Sequence, residues 1–87
     1  MAMAAEILEH TTNGLTEATF QRLVRALGKG TGTMLGHEVL LAMGLRELAS
    51  QNDLLAFANH LITRGGAVES VGRALKVSAL LRGATES

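Results

Sequence analysis

The stretch "LGKGTGTMLG", Leu27 to Gly36, decides how this chain folds. It holds four glycines and two threonines in ten residues, with Lys29 among them. Two readings compete for it. A glycine-rich loop ahead of a helix offers free backbone N–H groups to an anion such as phosphate. The same glycines also make a flexible joint between two helices. Gly30, Gly32 and Gly36 spell G-x-G-x-x-x-G, but a dinucleotide fingerprint needs a preceding strand inside a βαβ unit. The Walker arrangement fails as well, because Lys29 precedes the glycines instead of standing just before a Ser or Thr. The stretch therefore reads as an interhelical joint, with anion binding by residues 28–36 left open as the lesser alternative.

Working outward, the residues ahead of the joint form an amphipathic helix. Thr16 is its expected N-cap, Glu17 sits in the first turn, and Leu15 and Phe20 are placed for a hydrophobic staple. Phe20, Leu23, Val24 and Leu27 then fall on one stripe, while Gln21, Arg22, Arg25 and Lys29 face away. Gly28 or Gly30 ends the helix.

Beyond the joint, the pattern predicts a helix from about Thr33 to Ala49. Val39, Leu40, Leu41, Ala42 and Met43 run consecutively, followed by Leu45 and Leu48. Such a run covers every side of a helix, so this one belongs at a bundle centre or in an interface. Gly36, Leu40 and Gly44 share a stripe, and glycines that cost about 1 kcal/mol each in a helix point to close approach of a neighbour.

Ser50 and Asp53 form a capping-box pattern ahead of Leu54, Leu55, Phe57, Ala58, Leu61 and Ile62. Gly65 and Gly66 stop that helix. A last helix, Ala67 to Leu81, carries Val68, Val71, Leu75 and Ala79 inward and pairs Glu69 with Arg73. A short first helix is expected over Ala2 to His10, with residues 1–14 frayed and 83–87 a flexible tail. No alternating run demands a strand. The expected fold is one all-α domain, residues 1–87, in which about five short helices form a compact bundle.

Composition bounds the function. The 87 residues are 47% hydrophobic, yet include two Phe and no Trp, Tyr or Cys. So small a core, without disulfides, calls for a second copy or a partner to cover its apolar surface. Eight basic and eight acidic residues cancel, which removes the electrostatic footprint of a typical nucleic-acid binder. The first ten residues lack a basic region and a long apolar core, so they do not read as a signal peptide. No run of about 18 apolar residues predicts a membrane span. The absence of Cys fits a reducing compartment, and a cytoplasmic location is the expectation.

Catalytic signals are weak. His37-Glu38 opens H-E-x-x-H, but Leu41 stands where the second His belongs. His10, His37 and His60 show no ligand spacing. Ser50, Ser70 and Ser78 have no His beside them in sequence. No catalytic, cofactor or metal residues are expected.

One local resemblance lies in "RGGAVESVGRALKVS", Arg64 to Ser78. Gly65-Gly66, Val71-Gly72, Arg73, Leu75 and Val77-Ser78 resemble the opening part of a helix-turn-helix of the factor-for-inversion-stimulation type. The resemblance implies a dimeric DNA-binding regulator in which Arg64, Arg73, Lys76 and Arg82 touch phosphates. It covers about fifteen residues, and the following "ALLRGATES" lacks the polar side chains that read base edges. The same residues also make one continuous helix, and the charge balance favours that reading. The favoured function is a non-enzymatic interaction module: a regulator, inhibitor or adaptor that pairs with itself or another protein. Val39, Leu40, Met43 and Leu48 are its expected contact residues, with Arg22 and Arg25 on the rim.

Overall fold

The computed structural model describes residues 14–85. All of their regular structure is helical: α1 (Gly14–Leu27), α2 (Lys29–Met43), α3 (Gln51–Ile62) and α4 (Gly66–Leu81). Four helices stand here instead of five, because the helix expected over residues 2–10 lies outside the described residues. The chain makes two antiparallel hairpins, α1 on α2 and α3 on α4. Lesser contacts of α1 with α4 and of α2 with α3 join them. None of the described helices is long and apolar enough to cross a membrane.

The glycine-rich stretch is not a swinging joint. Only Gly28 is non-helical, and α2 begins at Lys29, earlier than the expected Thr33. Gly28 takes φ +94°, a left-handed backbone that side chains resist. Helical hydrogen bonding nevertheless continues on both sides of it. The Gly28 N–H donates to the Val24 carbonyl and the Gly28 carbonyl accepts from the Gly32 N–H, each at 2.8 Å. The reversal thus wastes almost no backbone polar groups, so the glycines that follow are free to extend α2.

Within α2 those glycines set the packing. A Cβ on Gly32 would lie 2.7 Å from the carbonyl carbon of Leu23 and the Cα of Val24. The two backbones therefore touch. A Cβ on Gly36 would strike the Phe20 ring at 2.7 Å. The close-approach stripe is Gly32 and Gly36, one turn earlier than the expected Gly36–Gly44 stripe. Gly44 instead ends the helix in a left-handed conformation, so α2 stops at Met43 and not at Ala49. The Gly44 N–H donates to Leu41 O and the Leu45 N–H to Leu40 O, which makes a Schellman cap.

The segment 45–50 then crosses to α3. Leu48 in this segment is fully buried. Its N–H donates to the Thr16 hydroxyl at 2.7 Å, a buried bond between positions far apart in sequence. Thr16 therefore lies inside the first turn of α1 and ties down the crossover, instead of capping its own helix. The Ser50–Asp53 box does form. Ser50 Oγ accepts from the Asp53 N–H at 3.2 Å, and the Asp53 carboxylate accepts from the Ala49 N–H at 2.9 Å.

The second hairpin repeats the glycine device. A Cβ on Gly72 of α4 would lie 2.9 Å from the Ala58 carbonyl oxygen and from the Leu61 side chain on α3. Around these crossings Leu23, Val39, Leu48, Phe57, Leu61, Leu75 and Ala79 close a continuous core. Gly83 ends α4 in a second Schellman cap, with the Ala84 N–H donating to Ala79 O. Residues 83–85 are not the free tail the sequence suggests. Ala84 is buried, and the Thr85 N–H donates to Asn52 Oδ1 at 2.9 Å.

Two glycines two residues apart should respond in opposite ways. Gly32→Ala drives a methyl into the α1 backbone and is expected to cost about 1–3 kcal/mol. Gly30, with open space where its Cβ would stand, should gain about 0.5–1 kcal/mol on Gly30→Ala. Denaturant titration of both variants checks the pair of signs. Thr16→Val, which strands the buried Leu48 N–H, should cost about 1–3 kcal/mol in the same measurement.

Candidate functional site

A helix that is apolar all round and packs on one side must leave apolar surface on the other. In α2 the inner side is Gly32, Leu35, Gly36, Val39 and Leu40. The outer side presents Gly30, Met34, His37 and Leu41, all exposed. Met34 and Leu41 are 72% and 80% exposed, two large apolar side chains on one side of the helix. The His37 ring meets Phe20 edge to face, with centroids 5.0 Å apart. Lys29, Gly30, Thr33, Met34 and His37 line a shallow hollow at the start of this face.

This geometry corrects the expected contact residues. Val39, Leu40 and Leu48 are buried inside the single chain, and Met43 packs against the same core. Val39, Leu40 and Leu48 have no surface to offer a partner, while Met43 is only partly buried. The large exposed apolar residues of α2 are Met34 and Leu41, on the far side of the helix. Arg22 and Arg25 are exposed on α1, as their position opposite Leu23 requires. The signal that sorts inner from outer residues was present in the chain: those sharing a face with Gly32 and Gly36 go inward.

The basic residues near the C-terminus are distributed over several surroundings. Arg64 pairs with Glu38 at 3.1 Å, linking the end of α3 to α2. Arg73 pairs with Glu69 at 2.6 Å, the i,i+4 contact read from the sequence. Both pairs are exposed and contribute little to stability. Lys76 is half-buried on α4, and Arg82 follows the end of that helix. Gly66–Leu81 is one continuous helix, with no turn at Val77-Ser78. Its outer side carries Val77 and Leu81, also exposed.

Among the described residues no group of three or more His, Cys, Asp or Glu is placed to hold a metal ion. Comparison of the chain with protein-family models, with curated proteins and with solved structures gives no match. The surface itself must therefore carry the functional argument.

The two sides of α2 separate in a simple experiment. Leu40→Ala, which empties a buried site, should cost about 2–5 kcal/mol. Leu41→Ala, one residue on, should stay within about 0.5 kcal/mol. Thermal or chemical unfolding of the two variants measures the difference.

Proposed function

We propose that this protein is a non-enzymatic interaction module whose working surface is the outer face of α2, and that the surface pairs with a second copy of itself. One observation carries the reading. Gly30, Met34, His37 and Leu41 are spaced by four, three and four residues along one exposed stripe. That spacing is the seam of a helix pair.

The stripe is also self-complementary. A two-fold axis between Met34 and His37 sets Gly30 of one copy against Leu41 of the other. The same axis sets Met34 against His37. Small meets large at both ends, and the hollow beside Gly30 has room for the leucine. An isologous contact of this kind needs no second surface, because each copy supplies both halves. One helix per side makes a small interface, so the association is weak and reversible, as suits a regulator or adaptor.

Sedimentation of the full chain over a range of concentrations tests this. The expected result is a monomer–dimer equilibrium that added salt barely moves, because the contact is apolar. Leu41→Glu removes a buried leucine from both ends of the pair and should weaken it at least about a hundredfold, with the fold unchanged. Gly30→Leu, which fills the hollow, should act in the same direction. A chain that stays monomeric throughout, or a dimer indifferent to Leu41→Glu, overturns the proposal.

A further inference from the structure

A second apolar surface, independent of the α2 face, runs along α4. Ala67, Ser70, Ala74, Val77 and Leu81 are all exposed, and alternating steps of three and four residues place them on one stripe. Val77 and Leu81, at its C-terminal end, are 56% and 82% exposed. Around the helix the stripe borders Ser78, on the side of α4 turned toward α1. Leu75, Ser78 and Arg82 line a groove there together with Leu15 and Arg22 of α1.

Where the chain enters decides what covers this stripe. α1 starts at Gly14, and the next residue, Leu15, stands at the groove. Residues 1–13 therefore join the described fold beside the end of α4 that carries Val77 and Leu81. Thirteen residues reach up to about 45 Å when extended, whereas the stripe from Leu81 to Ala74 is about 10 Å long. Met3, Ile7 and Leu8 supply large apolar side chains, and Thr11, Thr12 and Asn13 supply the connection. A segment tethered so closely meets the stripe at an effective concentration of about millimolar, which a second copy reaches only in concentrated solution. The outer face of α2 is a poorer target, because Met34 and Leu41 lie on the side turned away from α1.

Charge points the same way. Residues 14–85 hold all eight basic residues and only five of the eight acidic ones. Arg22 and Arg82 take part in no ion pair among these residues, and both stand at the groove where the chain enters. Glu6 and Glu9 bracket Ile7 and Leu8. Seating that pair on the end of α4 brings acidic charge to the arginines, and such attraction acts over a Debye length of about 10 Å.

We propose that residues 3–10 lie along α4, antiparallel to it. Leu8 and Ile7 cover Leu81 and Val77, and Met3 covers Ala74. With this stripe covered, Met34 and Leu41 of α2 remain the most exposed large apolar side chains.

The chain holds no Cys, so Ala5→Cys carries a nitroxide at one position of the full chain, and NMR line widths test the proposal. The amide signals of Ala74, Val77 and Leu81 are expected to broaden, with those of Met34 and Leu41 sharp. Ile7→Asp and Leu81→Glu should each remove about half or more of the broadening at Val77, since each takes an apolar side chain out of the contact. Thermal unfolding reports that Leu81→Glu stays folded. Added salt should reduce the broadening, and that sensitivity should disappear when Glu6→Gln and Glu9→Gln are combined. Broadening that is absent from α4, centred on α2, or indifferent to Ile7→Asp overturns the proposal. So does broadening of equal size when the nitroxide sits on one copy and the isotope label on another, because a second copy then covers the stripe.

Discussion

Everything in this fold follows from how closely α1 and α2 approach at Gly32. A chain with two Phe and no Trp or Tyr has little side-chain volume with which to fill gaps between helices. It closes them by bringing backbones together. At Gly32 the neighbour is the α1 main chain itself, and at Gly72 it is the main chain of α3. Dispersion contacts are short-ranged, so a shift of an ångström at either crossing forfeits much of the packing. Leucine and alanine can then complete the core, because the spaces left are small.

The same approach fixes which side of α2 is free. Once Gly32 and Gly36 face α1, Val39 and Leu40 follow them inward, and Met34 and Leu41 are carried outward. The outer stripe is thus a geometric consequence of the inner one. This exposed apolar surface was not added to a finished domain. It is the remainder of a helix too apolar for one contact to exhaust.

Much of this was legible in the sequence, but unevenly. The apolar faces of α1, α3 and α4 were readable because polar residues mark their outer sides, as Gln21, Arg22 and Arg25 do on α1. The capping box at Ser50 and the pair Glu69–Arg73 were readable because both act over three or four residues. The face of α2 was not legible by periodicity, since five consecutive apolar residues give it nothing to work on; only Gly32 and Gly36 mark it. Nor was the glycine stretch. Glycine signals a joint, a cap and a close contact by the same letter, and here Gly28, Gly44 and Gly32 are one of each. The role of Thr16 depends on Leu48, thirty-two residues away, and no local pattern encodes such a bond.

The one-residue reversal at Gly28 also bears on the route to the native state. Closing a loop of a single residue costs almost no chain entropy beyond the turn itself. Three residues separate α3 from α4, so the second hairpin is nearly as local. Each hairpin can therefore assemble on the timescale of helix formation, in microseconds. What remains is the meeting of the two halves, whose contacts span long stretches of sequence and set the pace of folding. The bond from Leu48 to Thr16 spans thirty-two residues, so a single hydroxyl fastens the crossover that leads from one hairpin to the other.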